Sequence, residues 1–215
     1  MTPDAIRAAL RLYLVLDPDF VDGAPVEALR AALAGGVTMV QLRAKGRTDR
    51  ETLALGRPMR AICGDAGIPL VINDRLDLGL ALGADGVHLG VDDLPLEDAR
   101  RLAGPGFLIG YSPETDDDAR GAAERGADYL GVGPVFGTAT KADAGAALGL
   151  AEFGRRRALT ALPVVAIGGI GVANASEAIA AGADGVAVVS AILRAPDPRT
   201  AALTLAGAVA TALRA

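Results

Sequence analysis

The chain has 215 residues, 51% of them apolar, and a formal net charge of −5 with no basic stripe. That balance argues against a general nucleic-acid binder, and no apolar run approaches a membrane span in length. The single cysteine, Cys63, excludes an internal disulfide; within an apolar, helix-like segment it reads as a small buried hydrophobe.

The opening MTPDAIRAAL lacks the apolar run of a signal peptide, so a soluble, cytoplasmic protein is expected. An apolar run, LYLVLD (12–17), then precedes helical spacing in PVEALRAALAG. TMVQLR (38–43) leads into the helical RETLALGRPMRAICGDAG, and PLVIND (69–74) is followed by GVHLG (86–90) and the helical LEDARRLAG. FLIGYS (107–112) is followed by DDDARGAAERG, and YLGVGP (129–134) by a long irregular stretch. Next comes GRRRAL (154–159), the densest basic cluster, which reads as a solvated helix face. PVVAIGG (163–169), the helical NASEAIAAG, GVAVVS (185–190) and a last helix near DPRTAALTLAGAVATAL complete the chain.

Most of these runs are continuous in apolar residues, as in strands buried on both faces. Eight such strands alternating with helices predict one α/β domain spanning 1–215, a closed (β/α)8 TIM barrel. A doubly wound open sheet is the alternative. GGVTMVQLR, GADGVHLG, GADYLGVG and GADGVAVV place glycine between a helix and a strand. Gly35, Gly83, Gly126 and Gly182 are therefore expected to be left-handed helix caps on the bottom face, and not nucleotide-binding glycines.

In such a barrel the chemistry sits at the C-terminal strand ends. There the second run carries Gln41, Arg43 and Lys45, with Gln41 and Arg43 on the inward face. An inward guanidinium needs an anion, either a ligand or a structural ion pair. Asn73 and Asp74 end the third run, Asp92 and Asp93 follow the fourth, and Ser112 ends the fifth. Adjacent strands lie about 5 Å apart, so Asp74 and Asp93 can approach one Mg2+. The bland reading of either aspartate after the fourth run is a helix N-cap, and Asp92 suits it better. Gly168, Gly169 and Ser190 top the last two runs, where many barrels bind phosphate. His88, the only histidine, lies mid-strand and reads as a satisfied core residue.

The irregular stretch FGTATKADAGAALG (136–149) holds Thr138, Thr140 and Lys141 among five alanines and three glycines. Long loops inside compact domains are usually functional or disordered. With few bulky side chains to anchor it, the loop at about 135–148 is expected to be mobile over the active site. Carboxylates plus Arg43, Lys45 and Lys141 around one cavity suit a metal-bound diphosphate, and the glycine–serine cup suits a second phosphorylated ligand.

VQLRAK, INDR, GADGVHLGVDDLP, GADYLGVGPVFGTATKAD, AIGGI and GADGVAVVSAI together resemble the thiamine-phosphate synthase family over roughly residues 12–193. The resemblance implies a barrel transferase of thiamine biosynthesis that joins an aminopyrimidine diphosphate to a thiazole phosphate with release of diphosphate. By it, Gln41, Arg43, Lys45, Asn73, Ser112 and Lys141 would hold the pyrimidine diphosphate, with Lys141, Arg43 and Ser112 serving catalysis. Asp74 and Asp93 would hold Mg2+; Thr138, Thr140, Gly169, Val189 and Ser190 would hold the thiazole phosphate. The partners implied are two phosphorylated small molecules, with no nucleic acid or membrane; a homo-oligomer is left open. GYSPET, with Tyr111, Pro113 and Glu114, departs from the family's usual segment after the fifth strand, and Val91 stands where glutamine is frequent. The related thiazole tautomerase, which looks to use a histidine after the fifth strand, and a non-catalytic ligand-binding paralogue are the competing readings. This chain has no histidine there, and it keeps the acidic pair and Lys141.

Overall fold

The structure, a computed structural model, describes residues 1–138 and 145–215. Eight parallel strands close a barrel in sequence order: β1 (Leu12–Leu16), β2 (Met39–Leu42), β3 (Leu70–Asn73), β4 (Gly86–Leu89), β5 (Leu108–Tyr111), β6 (Tyr129–Val132), β7 (Val164–Ile167) and β8 (Gly185–Val188). The last strand returns to the first through the register Leu12↔Val186, which removes the open-sheet alternative. The outer layer is α2 (Pro25–Ala34), α3 (Asp49–Ala66), α4 (Leu76–Leu82), α5 (Leu96–Ala103), α6 (Asp116–Gly121), α7 (Gly149–Arg157), α8 (Ala175–Ala180), the short α9 (Ser190–Leu193) and α10 (Pro198–Ala212).

Alternation along the strands splits the core in two. One set of side chains, including Leu14, Leu42, Ile72 and Val186, faces the helices. The other, including Tyr13, Met39, Val71, Leu108, Tyr129 and Val165, fills the lumen. An additional helix, α1 (Pro3–Leu10), precedes the barrel and adds Ile6, Ala9 and Leu10 to the lumen cluster. It starts on the Thr2 cap, whose hydroxyl accepts from Ala5 N–H, and it stoppers the end where the strands begin.

The three Gly-Ala-Asp repeats build one device at that bottom end. Each aspartate accepts an N–H from the first two residues of the preceding strand: Asp85 from Leu70 at 2.9 Å, Asp128 from Ile109 at 2.7 Å and Asp184 from Val164 at 2.8 Å. An arginine from the helix two elements back binds both the repeat's glycine carbonyl and the same carboxylate. Arg60 does so for Gly83 and Asp85, Arg100 for Gly126 and Asp128, and Arg157 for Gly182 and Asp184. In the variant repeat GGVT, the Thr38 hydroxyl replaces the carboxylate, accepting from Leu12 N–H at 2.9 Å and donating to Ala9. Each clasp satisfies a strand-end donor that would otherwise be stranded at the core edge.

Gly83 is the left-handed cap expected (φ 62°), and Gly126 and Gly182 also take positive φ. Gly35 does not: its φ is −88°, and Gly36 carries the positive angle. A Cβ on Gly35 would overlap the Arg199 carbonyl and the Ala202 side chain, so this glycine lets α2 meet α10. Cys63 is fully buried, and burial, then the charge of Asp85, pushes its thiol up to about 12. Among the described residues, no helix is long and apolar enough to cross a membrane.

Candidate active site

A second set of charged side chains gathers at the opposite end. The pairing Leu16↔Leu42 brings Asp17 level with Arg43, and the Arg43 guanidinium donates to Asp17 in a short ion pair. Asp17 is 3% exposed, so its charge is held by Arg43 and by the N–H of Asp19 at 3.0 Å. The inward guanidinium thus meets a structural carboxylate, the aspartate that ends the first run, LYLVLD. With five donors, Arg43 is not used up by this pairing.

One strand further, Lys45 Nζ lies 3.3 Å from the Asp74 carboxylate. Asp74 holds φ at 62°, the sole positive angle on a non-glycine among the described residues. Aspartate tolerates this region better than most residues, and such strain gathers at functional sites. A cleft of about 180 Å3 beside it is lined by Lys45, Asn73, Asp74 and Arg75, among others. Asp93 accepts from Gly90 N–H at 2.6 Å and caps its own turn. Burial raises the Asp93 carboxyl above its ordinary range, and the charge and shared hydrogen bond of Asp74 push the same way, against the Gly90 N–H. Asp74 and Asp93 therefore lie close enough to influence one another. Neither caps α5, whose N-cap is Pro95 with no side-chain bond. Asp92, expected to be that cap, is exposed instead.

Two neighbouring carboxylates, one of them 3.3 Å from a lysine, are the kind of oxygen donor set that fits Mg2+ when substrate phosphates complete its shell. Among the described residues no cluster of three or more ligating side chains occurs, so these side chains alone could fill only part of a metal's shell.

A hydrogen-bonded chain crosses the lumen below this mouth. Gln41 Nε2 donates to Tyr13 OH at 2.7 Å, Tyr13 OH meets Tyr129 OH at 2.9 Å, and Tyr129 OH lies 3.2 Å from His88 Nδ1. His88 Nε2 is 2.9 Å from Ser112 Oγ. Burial lowers His88 to about 4, partly opposed by the charge of Asp74, so the ring is neutral at pH 7. Both ring nitrogens are engaged, as expected of a satisfied histidine, but the two end groups are the site candidates Gln41 and Ser112. Two strand glycines make the crossing feasible. A Cβ on Gly110 would overlap the Tyr129 ring and His88, and one on Gly131 would press on His88. Interior strand glycines signal such close approach, and here they were the available clue to Tyr13 and Tyr129.

At β7 and β8 the register Ile167↔Ala187 sets Gly169 level with Val189, which caps α9 just before Ser190. Gly169 has φ 65°, and a Cβ there would overlap the Gly137 carbonyl oxygen. It thus seats the first arm of the long loop. Phe136 N–H donates to Gly168 at 3.0 Å and Val135 N–H to Ile167 at 2.9 Å; on the returning arm Leu148 N–H donates to Pro134 at 2.8 Å. Thr138 closes the described part of the first arm. Thr140 and Lys141 lie outside the described residues, as does the stretch of the loop expected to be mobile between 139 and 144.

A closed (β/α)8 barrel with charged side chains at its C-terminal strand ends defines a barrel enzyme, since such barrels carry their chemistry there. Comparison with known proteins makes this specific. A family profile described as thiamine monophosphate synthase matches residues 12–192. The chain is 49% identical to a thiamine-phosphate synthase of Moorella thermoacetica over 90% of this chain and 93% of that one. It is 50% identical to a thiamine-phosphate synthase of Albidiferax ferrireducens over 94% of this chain and 93% of that one. A solved structure of thiamine phosphate pyrophosphorylase from Pyrococcus furiosus superposes with a TM-score of 0.89 at 38% identity, covering 97% and 99% of the two chains. The chain belongs to the thiamine monophosphate synthase family, and with it to the transferases of thiamine biosynthesis.

Proposed function

We propose that the protein joins 4-amino-2-methyl-5-(diphosphooxymethyl)pyrimidine to a thiazole phosphate, giving thiamine phosphate and diphosphate, in the cytoplasm. The pyrimidine's exocyclic C–O bond breaks heterolytically and its electron pair leaves with diphosphate. The thiazole nitrogen then gives its lone pair to the resulting carbocation, closing the C–N bond and becoming a thiazolium. Mg2+ held by Asp74 and Asp93 would neutralise diphosphate charge. Lys45, Arg43 and Lys141 would bind the same group, and Asn73, Gln41 and Ser112 the pyrimidine side of that substrate. Gly169, Val189, Ser190, Thr138 and Thr140 would seat the thiazole phosphate. Closure of the 135–148 loop would keep water from the cation.

The observation that carries this reading is the Asp74–Asp93 pair beside Lys45, one strand from Arg43. Carboxylates that resist sharing a site accept a divalent ion and an anionic ligand together more readily than either alone. The experiment mixes the purified protein, both substrates and Mg2+, and follows thiamine phosphate by chromatography. Product dependent on Mg2+ and on both substrates is expected; none from folded protein rejects the proposal.

A further inference from the structure

The chain from Gln41 to Ser112 has only two self-consistent directions, because each tyrosine hydroxyl carries one proton and the neutral imidazole carries one. Gln41 presents Nε2 to Tyr13, and Nε2 can only donate. Tyr13 OH then spends its proton on Tyr129 OH, which spends its own on His88 Nδ1. That fixes the proton of His88 on Nε2, which donates to Ser112 Oγ. Ser112, having accepted, keeps its own hydroxyl proton for a partner outside the chain, and Gln41, having donated, keeps its Oε1 as an acceptor. Among the described residues no buried side-chain nitrogen or oxygen lacks a partner, so the amide of Gln41 alone chooses between the two directions. Reversing any link would leave a buried hydroxyl proton unmatched, at a cost of about 1–3 kcal/mol.

We infer that Tyr13, Tyr129 and His88 are positioning residues that set the polarity of the binding edge, making Ser112 a hydrogen-bond donor and Gln41 an acceptor. Resting on the proposed substrates, this edge matches an aminopyrimidine, whose amino group donates and whose ring nitrogens accept. A pyrimidine with an oxo group in place of the amine would set two acceptors, its oxygen and the Gln41 Oε1, against each other and lose that hydrogen bond. The three residues act from inside the barrel and need not touch the ligand.

The test uses the fact that His88 is the chain's only histidine. In the full-length protein labelled with 15N-histidine, NMR at pH 8 reads both ring nitrogens without ambiguity and without substrate. A protonated Nε2 and a bare Nδ1 are expected; a protonated Nδ1 means that the chain runs the other way and overturns the inference. Tyr129→Phe removes the donor to Nδ1 and should shift the tautomer signal. It should also raise KM for the pyrimidine diphosphate about tenfold while leaving KM for the thiazole phosphate within about twofold. An unmoved tautomer, or equal changes in both KM values, assigns Tyr129 a packing role and overturns the inference. Should the protein make no thiamine phosphate at all, the proposed reaction falls, and the tautomer in the wild type and in Tyr129→Phe still decides the polarity.

Discussion

At the scale of single residues, the site divides into groups that face a ligand and groups that hold them. Under the proposed function Asp93 belongs to the first set and the exposed Asp92 to neither. Asp93→Asn keeps size and removes charge, so the Mg2+ concentration for half-maximal rate should rise at least about tenfold, with Asp92→Asn close to wild type. A Mg2+ titration of both variants at saturating substrates checks this; the opposite ranking would mean that the metal ligand is Asp92. Asp17 holds Arg43 from the buried side. Asp17→Asn should therefore raise KM for the diphosphate substrate about tenfold with kcat less affected, because a charge-assisted bond orients the guanidinium. In the role proposed for it, Lys141 neutralises departing diphosphate mainly in the transition state, so Lys141→Ala should lower kcat by about 10² with little change in the unfolding midpoint; single-turnover rates beside urea melts separate the two.

At the scale of elements, the clasps at the strand starts make graded predictions. Arg100 meets Asp128 at 2.6 Å, whereas Arg60 meets Asp85 at 3.4 Å. Asp128→Ala should cost about 2–3 kcal/mol and Asp85→Ala somewhat less, because each also orphans a strand N–H. Urea unfolding ranks them; equal losses would make the N–H acceptance, common to both, the dominant contribution. The strands were legible because both faces are buried and the apolar runs are unbroken. The helices around them were legible from spacing, but α1 was not, since nothing in MTPDAIRAAL says that its apolar face enters a lumen. Gly-Ala-Asp was visible as a repeat, yet its glycine drew the attention while its aspartate carries the hydrogen bonds. Among site residues, Asp74 and Asp93 came from strand adjacency, a local rule. Tyr13 and Tyr129 did not, because strands β1 and β6 are joined only by side chains reaching across the lumen.

At the scale of the whole molecule, stability should respond to pH through His88. Its pKa is about 4 folded against about 6.5 unfolded. The unfolded chain therefore takes up the proton first as pH falls, so stability is complete above about 6.5 and is lost progressively toward 4. The loss attributable to this ring should approach about 3 kcal/mol by pH 4. His88→Gln should flatten that part of the curve in urea melts at pH 7.5, 5.5 and 4.5; parallel curves for both proteins would contradict it. The stopper formed by α1 bears on traffic. A vessel corked at its base has one doorway, so everything that reaches Gln41 and Ser112, and everything made there, passes through the same mouth. Arrivals and departures then compete for one passage, and a product that lingers there keeps the next pair of substrates waiting.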